Sequence, residues 1–139
     1  MSANCIFCKI VAGKIPSAKV YEDADVLAFM DIGPIVKGHT LVIPKQHFDP
    51  ITATPEPVLA KLVAVVKKIA QAQMNGLRAE GVNVMQMNGA AAGQVVPHIH
   101  FHVIPRFATD GHRWNWAAKQ YDDPNEMKQL AATVQAALK

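Results

Sequence analysis

Short apolar runs and alternating apolar and polar positions predict five extended segments in this chain. The first two flank an acidic turn and have the character of a hairpin. The third is an apolar run closed by a proline, and the last two alternate apolar with polar residues, the pattern of half-buried strands. The predicted strands cover residues 19–21, 26–30, 40–43, 82–88 and 98–104. A short glycine-containing loop joins the last two and predicts that they are neighbours in one sheet.

Helical periodicity is strongest over residues 55–75, where apolar side chains recur on one broad face. Thr54 is the predicted N-cap of this helix, and Gly76 can end it. A final helix is predicted over residues 123–138, and a short element over residues 5–12 opens the chain. Several strands with one long helix and a C-terminal helix indicate an α+β domain on a mainly antiparallel sheet.

Composition limits the class of protein. A length of 139 residues, half of them apolar and 18% charged, is typical of one folded domain and excludes predominant disorder. The net charge is +3, but Lys and Arg are spread along the chain, which argues against a nucleic-acid surface. No apolar run approaches the roughly 20 residues of a membrane helix, and the N-terminus has no export signal. We therefore expect a cytoplasmic protein without nucleic-acid or membrane partners.

Three histidines at alternate positions are the strongest chemical signal. In a strand, His98, His100 and His102 would share one face, while Ile99 and Phe101 would point to the opposite, apolar face. A solvated strand face could carry polar residues, but it has no need of three imidazoles. Two chemical interpretations remain open: a metal site, or phosphate-directed covalent chemistry with one imidazole as nucleophile.

These residues resemble the histidine triad (HIT) family, in particular its nucleotide-binding, Hint-like hydrolases of the zinc-carrying bacterial type. The triad segment matches the pattern His-apolar-His-apolar-His-apolar-apolar without a mismatch. Two further segments look like the family's nucleoside-binding region and another like its phosphate loop. In this chain the segments are residues 98–104, then 27–32 and 38–45, then 92–94.

The resemblance covers most of residues 5–106. It implies one HIT domain over residues 1–139, in which the core spans residues 5–106 and a C-terminal helical extension spans residues 107–139. It also implies a homodimeric α+β nucleotide hydrolase or transferase whose partner is a purine nucleotide or nucleotide conjugate.

The resemblance assigns the middle histidine, His100, as the nucleophile that attacks the α-phosphorus and forms a covalent nucleotidyl intermediate. His102, the amide of Gln94 and the backbone of the loop at Gly93 would then bind the phosphate oxygens. His39 would be a hydrogen-bonding partner of the triad. Closely spaced histidines also disfavour multiple protonation, which favours a neutral imidazole near pH 7.

A nucleoside pocket is implied by the same resemblance. Asp31 would accept hydrogen bonds from the ribose hydroxyls, although an Asp here could also cap a turn. Val95 stands where a branch of the family carries a hydroxyl residue. Core packing is the competing interpretation for the apolar residues. The remaining members of the predicted pocket are Phe7, Ile10, Phe29, Ile32, Leu41 and Asn88.

Cys5 and Cys8 have the spacing of a metal-binding pair, which alone is only half of a zinc site. By resemblance, His47 and His98 complete a Cys2His2 site of structural type. Such a site would tie the N-terminal element to the triad and so help to orient His100. A redox-active cysteine pair is the competing interpretation.

A nucleoside phosphoramidase-like activity that releases AMP is therefore the predicted function. A dinucleoside polyphosphate hydrolase is the alternative enzyme, because Pro105 and Arg106 also follow the triad in that branch. A nucleotide-binding regulatory module and a catalytic metal held by the three histidines are alternatives of other classes. Beyond the resemblance lies a basic aromatic cluster, for which packing is favoured over stacking on a base: His112, Arg113, Trp114 and Trp116.

Overall fold

A computed structural model describes residues 2–114 and 117–139. Its fold is a five-stranded antiparallel sheet with one long helix packed on it. The strand order is β1-β2-β3-β5-β4, so β1 and β4 form the two edges. The predicted α+β class with a mainly antiparallel sheet is confirmed. The strands are β1 (Lys19–Glu22), β2 (Val26–Met30), β3 (Thr40–Pro44), β4 (Gly81–Gln86) and β5 (Phe101–Arg106).

Among the described residues, three α-helices accompany the sheet, each close to its predicted position. They are α1 (Ile6–Val11), α2 (Glu56–Gly76) and α3 (Pro124–Ala137), with short 3-10 turns at Ile51–Ala53 and Ala90–Ala92. Cys5 and Asp123 cap α1 and α3 with their side chains. Thr54, the predicted cap of α2, instead donates its hydroxyl to the Pro50 carbonyl, and Pro55 occupies the cap position.

The sheet is buried on both faces near its centre. On one face β2, β3 and β5 pack against the apolar stripe of α2. On the other face α1 covers Leu27, Phe29, Leu41 and Ile43. Burial on both faces explains why β2 and β3 are continuous apolar runs, whereas β4 alternates.

The triad segment enters the sheet later than predicted. Strand β5 begins at Phe101, because the backbone N–H of Ile99 donates to the Phe48 carbonyl and that of His98 to the Val96 carbonyl. The predicted division of faces holds all the same. Ile99 belongs to the core on the α2 side, whereas His100 lines the cleft on the other side.

Helix α3 leaves the domain surface, and every one of its residues is exposed or half-buried. Its apolar stripe therefore has no cover among the described residues. Within the same residues, no helix combines the length and the apolar character that crossing a bilayer requires.

Candidate active site and metal centre

A cleft of about 770 Å³ lies between α1, the ends of β2 and β3, and the segment before β5. Most of its lining is apolar, and the imidazoles of His100 and His102 are among its few polar groups. The chain therefore brings two imidazoles to the wall of an apolar pocket, the usual form of a small-molecule site. The predicted site residues that line the cleft are Phe7, Ile10, Phe29, Asp31, Ile32, Leu41, Gly93, Val95, His100 and His102.

One hydrogen bond fixes the orientation of the His100 ring. Its Nδ1 lies 2.7 Å from the carbonyl oxygen of His98, and a carbonyl can only accept, so Nδ1 carries the proton. The lone pair is then on Nε2, the nitrogen a nucleophile needs. Phe7 packs edge-on against the ring at a centroid distance of 5.1 Å. Burial lowers the pKa of His100, which keeps the ring neutral.

His102 receives its orientation from His39. The backbone N–H of Ile35 donates to His39 Nδ1 (3.2 Å), so a neutral His39 carries its proton on Nε2. That proton is donated to His102 Nδ1 at 2.9 Å. His102 is therefore protonated on Nε2, and it presents an N–H donor. The rings of His102 and His100 are neighbours, with centroids 4.9 Å apart.

Both members of this pair are neutral at physiological pH. Burial, with smaller contributions from His100 and His39, lowers the pKa of His102 to about 4. Burial also lowers the pKa of His39, against the opposing effect of the Asp31 carboxylate. The result is a donor at His102 Nε2 that carries no net charge into an apolar cleft.

Asp31 serves two neighbours at the mouth of the cleft. Its Oδ1 accepts the backbone N–H of Gly33 at 2.8 Å, which is the turn-capping contact. Its Oδ2 lies 3.6 Å from His39 Nε2 and remains available to a ligand that enters the cleft. Ile32, which follows it, is completely exposed, as is most of Val95 across the cleft.

Two predicted ligand-binding amides are engaged elsewhere. Gln94 Nε2 donates to Asp49 Oδ1 (2.7 Å) and to the Val96 carbonyl (2.9 Å), and Gln94 Oε1 accepts the backbone N–H of Gly89. The side chain thus braces its own loop, and it is not among the residues that line the cleft. The Gly93 N–H likewise donates within the loop, to Ala90.

Asn88 also acts on the backbone. Its Oδ1 accepts the N–H of Ile51 at 2.8 Å, and its amide pairs with that of Gln86.

Asp49 is a site residue that the sequence analysis did not identify. Its charge raises the pKa of His98 and His100 against the effect of burial, and only the fold brings it close to them.

Cys5, Cys8, His47 and His98 meet at a second site beside the cleft, as predicted. The four ligand atoms all lie within 4.8 Å of one another. His98 Nδ1 is 3.4 Å from Cys5 Sγ, 3.6 Å from Cys8 Sγ and 3.2 Å from His47 Nδ1, while Cys8 Sγ is 3.4 Å from His47 Nδ1. Tetrahedral zinc bonds of about 2.0–2.3 Å place ligand atoms roughly 3.3–3.7 Å apart. The donor set and its spacing therefore fit zinc.

The surroundings of the four ligands fit the same ion. His98 Nε2 lies 2.9 Å from the Pro44 carbonyl, so Nε2 carries the proton and Nδ1 is free to bind a metal. Burial raises the pKa of the Cys8 thiol and lowers that of His98 to about 4. A cation among these groups would stabilise the thiolate and needs a neutral imidazole.

A metal held jointly by the three triad histidines does not match this geometry. His98 turns to the cysteines, whereas His102 turns to His39. Asp31, His39 and His102 do bring ligand atoms within 4.8 Å of one another. However, the Ile35 N–H commits His39 Nδ1 as an acceptor, so Nε2 holds a proton where a metal would need a lone pair.

The aromatic cluster after β5 packs against the edge of the sheet. Trp114 Nε1 donates to Asn83 Oδ1 at 2.7 Å, and Arg106 donates to the same oxygen and to Asp110. The ion pair with Arg106 lowers the pKa of Asp110 strongly. These contacts agree with the packing interpretation, while Trp116 lies outside the described residues.

Comparison with known proteins identifies the family. The HIT domain model matches residues 12–109, which is most of the chain. The chain belongs to the HIT family. Protein hit of Bacillus subtilis is 43% identical over 134 residues, which cover 94% of this chain and 92% of that protein.

Two further HIT relatives carry enzyme names. An adenosine 5'-monophosphoramidase of Schizosaccharomyces pombe is 40% identical over 137 residues, covering 98% of this chain and 99% of that protein. An adenylylsulfatase of Arabidopsis thaliana is 41% identical over 107 residues, covering 77% of this chain and 54% of that protein.

Solved HIT structures share the fold. A Streptococcus mutans protein superposes with a TM-score of 0.93 at 44% identity, covering 100% of this chain and 88% of that one. A zinc-bound histidine triad family protein of Mycobacterium smegmatis gives a TM-score of 0.75 at 39% identity, covering 97% and 98%. The resemblance inferred from the sequence is thereby confirmed.

Proposed function

We propose that this HIT protein hydrolyses the bond between the α-phosphorus of a purine nucleotide and its leaving group, and releases AMP from phosphoramidate conjugates. The observation that carries the proposal is the His100 ring, whose Nδ1–H is tied to a carbonyl and whose Nε2 lone pair is free at the cleft. The names of the S. pombe and A. thaliana relatives support a hydrolase of nucleotide P–N or phosphoanhydride bonds.

The reaction proceeds through a covalent nucleotidyl-histidine. His100 Nε2 donates its lone pair to the α-phosphorus as the P–N bond of the substrate breaks, and the leaving amine takes up a proton from solvent. Water then attacks the phosphorus, breaks the P–Nε2 bond and returns a proton to solvent, which yields AMP and neutral His100. The Nε2–H of His102 donates to the phosphoryl oxygens, whose negative charge it stabilises during both steps.

The apolar cleft binds the nucleoside. Phe29, Leu41 and Ile10 form its inner wall, and the exposed side chain of Ile32 covers the base from outside. Asp31 Oδ2 accepts a ribose hydroxyl, since Oδ1 is already used by Gly33. Binding thus combines apolar contact with one carboxylate that orients the sugar.

Zinc has a structural role in this proposal. Cys5, Cys8, His47 and His98 would hold it as four protein ligands, which leaves no position for substrate. When bound, it supplies only a cross-link between α1 and the triad segment. The zinc-bound M. smegmatis neighbour supports this assignment.

A homodimer formed through β4 is also part of the proposal. The edge strand β1 is interrupted by a bulge and carries Lys19 and Glu22, both of which discourage pairing. The other edge strand, β4, has the sequence GVNVMQ, without a charge or a proline. Two copies of β4 can pair about a twofold axis and continue the sheet.

The domain boundaries and the cellular location are proposed as the sequence predicts them. We propose a core over residues 5–106 and a helical extension over residues 107–139, in one domain. A cytoplasmic location, without nucleic-acid or membrane partners, stays a prediction.

A side-by-side hydrolysis assay tests the function. Adenosine 5'-phosphoramidate and AMP-lysine are offered beside diadenosine tri- and tetraphosphate at equal concentration, with His100→Ala as the control. We expect faster AMP release from the P–N substrates, and loss of turnover with retained AMP binding in the variant. Preference for the polyphosphates would instead assign the dinucleoside hydrolase branch. AMP binding without His100-dependent turnover of any substrate would assign a regulatory binding module.

A further inference from the structure

Gln73 is a buried polar residue on the apolar face of α2. The residues that α2 buries are Leu62, Val65, Val66, Ile69 and Gln73. Gln73 is only 4% exposed, and its Oε1 has no hydrogen-bond partner among the residues that the structure describes. A methionine would fill the same volume without burying an unpaired acceptor. The hydrogen bonds of the amide nitrogen explain why a glutamine is buried at this position.

The amide nitrogen of Gln73 joins two chain segments. It donates to the Gly38 carbonyl at 3.1 Å and to the Val103 carbonyl at 2.9 Å. These two contacts use both of its N–H groups. The Thr40 hydroxyl, 3.5 Å away, donates to the same Gly38 carbonyl and closes the network.

The two carbonyls are adjacent in sequence to the paired histidines. Gly38 directly precedes His39, and Val103 directly follows His102. The imidazoles of this pair meet at 2.9 Å on the far side of the sheet from α2. Gln73 thus binds the two segments from the side of α2. The histidines of the same segments, His39 and His102, are in contact on the cleft side.

The ladder between β3 and β5 ends at this point. Its last pair is Thr40 with Val103, so Gly38 lies beyond the paired region. If the register continued, Gly38 would face Pro105, which has no N–H to donate. The Gln73 amide supplies a donor to the Gly38 carbonyl that the strand cannot supply.

We propose that Gln73 is a positioning residue, which maintains the His39–His102 hydrogen bond by clamping Gly38 to Val103. The effect on turnover rests on the function proposed above, whereas the effect on the imidazoles does not. Without the clamp, the segment that carries His39 can move relative to β5. His102 would then lose the partner that confines its proton to Nε2.

Gln73→Met tests the proposal, with Ile69→Ala as the matched control. Ile69→Ala removes packing from the same helix face one turn earlier without touching either carbonyl. The tautomers of His39 and His102 are measured at pH 7.5 by long-range 1H–15N NMR of the imidazoles. Hydrolysis of adenosine 5'-phosphoramidate by the same samples gives kcat and KM.

We expect Gln73→Met to convert His102 from the Nε2–H form to a mixture of tautomers and to lower kcat about tenfold with little change in KM. Ile69→Ala should leave the imidazole spectrum unchanged. A folded Gln73→Met protein with the wild-type imidazole spectrum, or an equal spectral change in Ile69→Ala, would overturn the proposal. If the wild type lacks turnover while the spectra change as expected, positioning stands and the proposed function fails.

A second variant covers the case in which Gln73→Met does not fold. Gln73→Glu keeps the volume and polarity of the side chain, but burial keeps its carboxyl group protonated, and the single O–H can donate to only one of the two carbonyls. At pH 7.5 it should show the same mixture of His102 tautomers. A wild-type spectrum from this variant at that pH would contradict the clamp.

Discussion

At the scale of single residues, the neutral state of the site follows from burial of its imidazoles. His102 is the clearest case, because its pKa lies at about 4 in the folded chain and near 6.5 when exposed. Between these pH values the unfolded chain binds a proton that the folded chain excludes. Stability is therefore fully retained above pH 6.5 and falls as the pH decreases towards 4. His39, whose pKa is also lowered, contributes with the same sign.

His102→Gln should flatten this pH dependence. Glutamine keeps a polar side chain at the site but does not titrate. The free energy of unfolding of the His102→Gln protein should therefore change less between pH 7 and pH 5 than that of the wild type. The full interval between the two pKa values corresponds to roughly 3 kcal/mol as an upper limit. Urea unfolding at a series of pH values measures the difference. Parallel curves for the two proteins would show that His102 titrates as an exposed histidine.

Gly38 carries a conformational demand that a side chain cannot meet. Its φ is +103°, and an added Cβ would lie 2.7 Å from Leu77 Cδ1 and 3.0 Å from Pro105 Cγ. Gly38→Ala should cost about 2–4 kcal/mol of stability, from backbone strain together with the clash. Gly13 has φ +75° but open space around it, so Gly13→Ala isolates the backbone part. Equal losses for the two variants in urea unfolding would show that the contact with Leu77 does not matter.

Residue identities were predicted best where one side chain has one chemical role. Cys5, Cys8, His47 and His98 come together as expected, because few residue types can ligate zinc. Gln94 was predicted at the phosphate, but the structure uses its amide to brace the loop through Asp49. A side-chain amide can form hydrogen bonds with its own chain as well as with a ligand, and the sequence does not distinguish these two roles.

At the scale of elements, α1 connects the Cys2His2 cluster to His100. Cys5 caps this helix and Cys8 lies within it, while Phe7 between them packs edge-on against His100. A six-residue helix is too short to be stable by itself, so its position depends on the contacts at its ends. Zinc bound at the cysteines would fix the position of α1. It would thereby also fix the ring of Phe7, which packs against His100.

Removal of zinc should therefore loosen α1 and weaken catalysis together. We expect the purified protein to contain about one zinc per chain, and Cys8→Ser to lose it, with a lower midpoint of thermal unfolding. Hydrogen exchange at the backbone N–H of Ala12, which donates to the Cys8 carbonyl, should accelerate in that variant. Lys9→Ser, on the same helix but outside the ligand set, should change neither zinc content nor exchange. A zinc content near zero in untreated protein would contradict the assignment.

Element positions were predictable because their signals are local. The apolar runs of β2 and β3 and the periodicity of α2 place these elements within a residue or two. The start of β5 was not predictable, because it depends on the Ile99 N–H bonding to the distant Phe48 carbonyl. The cap of α2 was missed for a similar reason, since Thr54 bonds to Pro50 of the preceding turn.

At the scale of the whole molecule, two of the apolar surfaces that the described chain leaves without cover bear on assembly. One is the α2 side of β4, where Val84 is 49% exposed although its cross-strand neighbour Val103 is completely buried. The other is the stripe of α3, which includes Leu130 and Val134. A monomer would expose both to water, whereas a second copy that pairs along β4 would cover Val84.

Val84→Lys should therefore convert the proposed dimer to a monomer. Each copy would then bring a lysine charge into the surface that the pairing covers, where a charge is poorly solvated. Size-exclusion chromatography with light scattering gives the molar mass, expected near twice the chain mass of 15.1 kDa for the wild type and near that mass for the variant. Val20→Lys is the matched control, because Val20 is 42% exposed on the opposite edge strand, where the bulge already discourages pairing. A Val84→Lys protein that stays dimeric would exclude β4, and loss of the dimer in Leu130→Lys instead would assign the interface to α3.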